Sequence, residues 1–399
     1  MNVWETARAI PWPFLAFGGV MGGILYLHFY FAHSRWRRVR GQQTEDIDPS
    51  YVRREDYFGQ SFRIKLQSWL ELPAVALPGG GRTIEKNGET IRVSPALRLA
   101  DRAQSDDILA IQEDFSCGAA SHLSREIYAA GNVTIGTGSK LQALAADGDA
   151  TLASDVEVAR WVDSWGELRL GRNCVIHSRA TARKSIFLDA GVQARSVFAP
   201  EVTTAPAAVD AGSNPIASPE QLLQIPPATG ADRSALIRMG LDPAKLMTLG
   251  AECWIYAGSL RPQAPVHLTA QLVVRGNCSI PAGSLLEDNL KASGDLFIGA
   301  GSECKGNLIS EKSLGVGPGV HFARIIHADG EILLCNGVRG ESAKSPVAVD
   351  AGSWLYVEQG VIVRGKLSSG ERVRVVARPF AEAWRRKHLP ARTESGTAK

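Results

Sequence analysis

The stretch LGRNCVIHS, residues 170–178, sets His177 behind a run of aliphatic positions, and a histidine carried on a β-coil can act as the general base of an acyl transfer. Enzymes of that kind repeat an aliphatic residue on a tighter, six-residue beat, and that beat does not persist around His177. Two acidic pairs, Asp147 with Asp149 and Asp163 with Glu167, have the residue types for glycoside cleavage or calcium binding, but close carboxylates are more often solvated corners of the chain. None of the eight histidines falls in an H-x-x-x-H or H-E-x-x-H arrangement, and the separation of His321 from His327 is no metal-ligand spacing. Nucleophile elbow, phosphate loop and dinucleotide fingerprint are missing, so the glycines of IGTG, LGRN and IGAG read as chain corners. The six cysteines form no C-x-x-C pair; Cys117 and Cys278 read as small apolar core residues of a reduced protein. These residues predict no catalytic group, no metal and no cofactor. The competing chemistry is a coil acyltransferase with His177 as its base.

The elements that hold these side chains are set by a repeat. In AAGNVTIGTGSKL, residues 129–141, Val133 and Ile135 alternate with polar Asn132 and Thr134, the period-two pattern of a half-buried strand. Steps of roughly eighteen residues bring the same pair back at Leu97/Leu99, Phe115/Cys117, Ala150/Leu152, Leu168/Leu170 and Ile186/Leu188. A second set keeps the beat at Cys278/Ile280, Leu296/Ile298, Leu314/Val316 and Ile332/Leu334. A unit this short cannot bury an apolar face alone, so neighbouring units must stack and share a core. Helical-pair repeats need about 33 to 47 residues. The prediction is an all-β fold, a parallel three-sided β-helix with one coil turn per repeat and those aliphatic pairs inside. Right-handedness follows the general rule for parallel crossovers, since the beat itself carries no hand.

The front of the chain is different. PFLAFGGVMGGILYLHFYFA, residues 13–32, carries no charge and is about as long as the roughly 20 residues that cross a bilayer core. Arg35, Arg37, Arg38 and Arg40 crowd its carboxyl side, while Arg8 in front is offset by Glu5, so the positive-inside rule keeps the large C-terminal part in the cytoplasm. The expected partners are therefore the lipid bilayer, through one spanning helix, and a further copy, end to end or through the small residues of GGVMGG. A net charge of +3 argues against nucleic acid.

The expected organisation is a short tail over 1–12, a transmembrane helix over 13–32, and a charged linker over 33–90. The linker holds an amphipathic helix with Phe62, Leu66 and Trp69 on one face and a hairpin at Asn87-Gly88. A first array follows over 91–202, then a Pro/Ala-rich insertion with a short helix over 203–253, and a second array over 254–376 whose phase slips near Gly337 to Ser345. A basic helix and tail occupy 377–399, and both flanking helices are expected to close the ends of the coil.

The set GNVTIGTGSKL, GELRLGRNCVI and SGDLFIGAGSECKGNLISEKSLGVGPG resembles the bactofilins, the polymer-forming cytoskeletal proteins of bacteria, over roughly residues 95–200 and 258–375. The resemblance implies a right-handed three-sided β-helix, nucleotide-independent assembly end to end, and scaffolding of cell-envelope or cell-shape machinery through an envelope protein partner whose identity is open. Val373 and Val375 are the residues nominated for end-to-end contact. A full spanning segment, a split coil and flanking helices depart from the short single coils of that family, and the insertion also suits an accessory subunit of a surface-polysaccharide export complex.

Overall fold

The computed structural model describes residues 54–77, 80–86, 88–206, 223–225, 242–249 and 253–388, with scattered helical positions between Ala16 and Tyr30. The chain divides into two units, Met1–Arg54 and Glu55–Lys399. In the first, the described positions Ala16, Phe17, Met21, Gly22, Gly23, Tyr26 and Tyr30 are helical and exposed. The rest of the expected span, and Arg35, Arg37, Arg38 and Arg40 after it, lie outside the described residues. Among the described residues no helix is long and apolar enough to cross a membrane.

The second unit is a β-solenoid of about 14 turns at about 18 residues per turn. One column of parallel pairs climbs the first array through Leu97, Phe115, Val133, Ala150, Leu168, Ile186 and Val202. Its counterpart in the second runs through Cys278, Leu296, Leu314, Ile332, Leu355 and Val373. The slip expected near Gly337 is the long step from Ile332 to Leu355, taken up by an irregular stretch between Gly340 and Val347.

Short strands suffice because those inside the stack are paired above and below and alternate inside with outside, as Val133, Thr134 and Ile135 do. The corners repeat as strictly as the sides. Each turn of the first array places one residue at positive φ, in sequence Arg102, Ala120, Gly138, Asp155, Asn173 and Gly191. At a neighbouring corner Gly136 stacks on Gly118 so closely that a Cβ would overlap its carbonyl carbon. A polar ladder ties successive turns: Asp114 accepts the Asn132 amide at 2.7 Å, Asn132 the Asp149 amide at 2.9 Å, and Asp149 the Glu167 amide at 2.8 Å. The second array repeats the ladder at Ser259, Asn277, Asp295 and Ser313.

Two helices flank the coil, α1 (Tyr57–Leu70) and α2 (Arg378–His388). Neither closes an end. Phe62, Leu66 and Trp69 of α1 pack on the side of the first array, over Ile91, Ile108, Ala143, Ala145 and Trp161. Trp384 and Ala381 of α2 pack on the side of the second, with Phe297 and Leu333. The cause lies in the strands, whose outward positions are apolar at those places, so a lateral strip and not the end is the surface to be covered. The ends carry antiparallel strands instead. Arg82–Lys86 pairs with Glu89–Ser94 as an antiparallel hairpin, Asn87 of the expected turn lying outside the described residues, and Leu246–Leu249 pairs with Cys253–Tyr256. The short helix expected within the 203–253 insertion, near Ala231 to Leu249, is therefore not formed over 242–249: a single 3-10 turn, Pro243–Lys245, leads into a strand, because pairing with Cys253–Tyr256 satisfies the backbone that a helix would otherwise need. Residues 231–241 lie outside the described set.

Candidate functional site

The two arrays meet at their C-terminal ends. The closing strand of the first, Gln193–Thr204, runs antiparallel to that of the second, Ile362–Val376. On one side of the coil Gln193 and Ala194 face Arg374 and Val373; on the next, Ser196 to Ala199 face Ser368 to Gly365; on the last, Val202 and Thr203 face Val363 and Ile362. The register shifts fall between Ala194 and Ser196 and between Ala199 and Val202, where the chain turns corners. An open coil end exposes strand edges and an apolar cross-section, and this joint satisfies both at once. Ala194, Val197, Val202, Val363, Leu367 and Val373 are all buried in one core that runs through both arrays.

Polar contacts secure the joint. The Thr204 hydroxyl donates to the Glu358 carbonyl at 2.9 Å and accepts the Val361 amide at 2.9 Å. On the surface Arg364 bridges Glu201 at 3.4 Å, from the opposite array, and Glu341 at 3.1 Å from its own. Gly365 adopts φ of 151° and lies against the Val347 carbonyl, a place no side chain fits. Val373 faces Ala194, and Val375 exchanges backbone bonds with Gly191 and Val192, its carbonyl accepting at 3.2 Å and its amide donating at 3.0 Å. The two valines nominated for end contact thus make one inside the chain.

Of the nominated core residues, Val133, Ile135, Leu168, Leu170, Ile186, Leu188, Ile280, Leu296, Ile298, Ile332 and Leu334 are buried. Leu97 and Leu99 are half-buried, because their strand belongs to the outermost turn and pairs on one edge only, with Phe115–Cys117. Cys117 and Cys278 are buried and free.

The chemistry-bearing residues are kept apart. His177 lies at the surface with Nε2 3.0 Å from Glu157 and Nδ1 3.2 Å from an Arg372 guanidinium nitrogen. Its hydrogen bond, with Lys140, lowers the Glu157 carboxyl below its ordinary value. His321 approaches Glu341 at 3.6 Å, whereas His327 lies between Asp329 and Asp350, each at 3.2 Å. Among the described residues no cluster of three or more histidine, cysteine or acidic side chains could hold a metal. The acidic pairs are split as well: Asp149 serves the corner ladder and Glu167 pairs with exposed Arg169, while Asp147 and Asp163 turn to Arg63 of α1.

That last cluster escaped the sequence reading. Arg63, only 6% exposed, reaches Asp147 at 2.6 Å, donates to Asp163 and to the Ala146 carbonyl at 2.7 Å, and lies 4.5 Å from the centre of the Trp165 ring. Tyr128 donates to Asp147 at 2.6 Å and Thr181 to Asp163. Burial raises the Asp163 carboxyl above its usual value, against the pull of Arg63. The arrangement pins α1 to the coil, and each carboxylate oxygen of Asp147 and Asp163 accepts a hydrogen bond from within the protein. Comparisons with protein-family models, with curated proteins and with solved structures match nothing.

Proposed function

We propose that this protein is a non-enzymatic, membrane-anchored scaffold of bactofilin-like type, a right-handed, three-sided coil held at the cytoplasmic face of a bacterial inner membrane. There it organises cell-envelope or cell-shape machinery. The observation that carries this reading is the joint: two coils seated end to end through reversed strand pairing on every side, the contact by which coils of this architecture can build longer bodies. The interior supports it too, being filled mostly with aliphatic side chains along its length. The uncharged stretch of residues 13–32 with its trailing arginines supplies the anchor.

Because both C-terminal ends are used inside one chain, self-association runs through the N-terminal ends of the arrays or through the membrane segment. At about 4.8 Å per turn, about 14 turns make a rod roughly 65 Å long. Electron microscopy of the purified full chain tests the body, and C-terminal fusions to a fluorescent protein and to alkaline phosphatase test its side of the membrane. Rods of that length, alone or in lengthwise assemblies, with a fluorescent and phosphatase-inactive fusion, are the expected result. Compact particles, or an active phosphatase fusion, contradict the reading.

A further inference from the structure

On the outer face of the second array a column of paired positions runs Ser279, Phe297, Gly315, Leu333. At Gly315 the column has no side chain. A Cβ there would come within 2.7 Å of the Phe297 ring and 3.2 Å of Trp384, so the glycine lets these two rings pack at 6.1 Å and tilted by 58°. Beside them a pocket of about 220 Å3 opens, with Leu333, Pro318 and Cys335 among its walls. Burial pushes the Cys335 thiol up to about 12, so that wall is neutral at physiological pH.

One charged side chain lines the pocket, Arg385 of α2. Its only hydrogen bond among the described residues is a long one, from Nε to the Ala381 carbonyl at 3.4 Å, and no described carboxylate pairs with it. Of the nearby acids, Glu331 takes the Trp384 indole N–H and lies 3.4 Å from His388, Glu382 pairs with Arg378 at 3.2 Å, and buried Glu358, beside Cys335, accepts the Asn336 amide at 2.7 Å through one oxygen. Arg386 and Lys387 add positive charge on the same turn. An apolar cavity of about 150 Å3 already accepts a benzene-sized guest, and whole drug-sized ligands need roughly 300 Å3 or more. The volume therefore suits one stretch of hydrocarbon, and the uncommitted guanidinium selects an anionic head on it.

We infer that this pocket binds the alkyl chain of a fatty acid, with the carboxylate held by Arg385. The inference is independent of the scaffold reading. It is tested by photolabelling the full chain in phosphatidylcholine nanodiscs with an alkyne-bearing diazirine fatty acid, and in parallel with the matching fatty alcohol, then mapping the labelled peptides by mass spectrometry. The acid labels peptides from the Ser279–Gly299 and Leu314–Cys335 regions. Ser279→Trp, which fills the pocket from an outward strand position, removes that labelling, while circular dichroism melting reports an unchanged coil. Arg385→Glu lowers labelling by the acid about tenfold and leaves labelling by the alcohol as it was. Labelling confined to residues 13–32, or undiminished in Ser279→Trp, overturns the site. Equal labelling of the wild type by acid and alcohol overturns the role of Arg385. Absence of labelling in a folded wild type also overturns the proposal and leaves the pocket to an apolar side chain of a protein partner.

Discussion

Ala194 and Val373 lie directly opposite each other in the layer where the closing strands of the two arrays run antiparallel, both buried and separated by most of the second half of the chain. Below that layer the windings belong to the first array; above it they belong to the second, stacked in the opposite sense. The protein thus holds within one chain a contact that single coils can form only between copies.

The joint is predicted to be the only strong tie between the halves. Val197 faces Leu367 there, both inside. Val197→Asp buries a charge without a partner and is expected to cost about 4 kcal/mol or more. With a protease site engineered between residues 207 and 222, the cut wild-type halves should co-migrate in gel filtration and the cut Val197→Asp halves should separate. Wild-type halves that part on cutting would contradict the joint.

Depth along the coil should set the cost of a core charge. Ile135 and Ile298 lie in fully stacked windings, whereas Leu97 is in the outermost one. Ile135→Asp or Ile298→Asp is expected to collapse the array, at about 4 kcal/mol or more, while Leu97→Asp costs about 1–2 kcal/mol because its side chain still reaches water. Urea unfolding of the three variants decides this; equal losses at all three positions would mean that the Leu97 end is covered.

The Arg63 cluster should behave as a buried ion pair. Arg63→Ala leaves Asp163 without its counter-charge and is expected to destabilise by about 3–5 kcal/mol. The double replacement Arg63→Met with Asp163→Leu removes both charges together and should recover most of that loss. Asp147 retains Tyr128 as donor in either variant. If the double variant is as unstable as the single one, the guanidinium holds α1 by its backbone and ring contacts and not by the charge pair.

Buried thiols predict a loss of stability in alkali. Burial pushes Cys174 up to about 11 and Cys278 up to about 12 from the ordinary 9.0. Above pH 9 the unfolded chain releases these protons while the folded chain keeps them. The stabilisation is therefore complete below pH 9 and lost as pH rises through 11 to 12, by about 1.4 kcal/mol per pH unit for each thiol. Urea midpoints measured at pH 8 and pH 10.5 should converge less steeply for Cys278→Ala than for the wild type. An identical slope would place that thiol in contact with solvent.

The columns of aliphatic pairs were legible because a strand imposes period two and each winding imposes its length; Val133, Leu168 and Ile298 are fixed by both constraints. The joint was not legible. Gln193–Thr204 and Ile362–Val376 each read as further sides of a coil, and nothing local says that one will face the other in reverse. The seats of the two helices did leave a trace. Ala143 to Ala146 are buried on both faces of their strand, as are Ile108 to Ile111 under α1 and Ile332 to Leu334 under α2, and such unbroken apolar runs mark sides covered from outside. Arg63 left none, because a single arginine in an amphipathic helix reads as solvated until its acids are placed beside it.

The most direct test of the central claim is a disulfide across the joint. Ser196 and Ser368 are opposed in the antiparallel register, and opposed residues in such a pair lie about 4.5–5.5 Å apart at Cα, within reach of a disulfide. The full chain carrying Ser196→Cys and Ser368→Cys is oxidised and run on a non-reducing gel, with each single variant as control. A faster-migrating monomer that appears only in the double variant is the predicted result. Free thiols, or cross-linked dimers in place of that monomer, would contradict a joint formed within one chain.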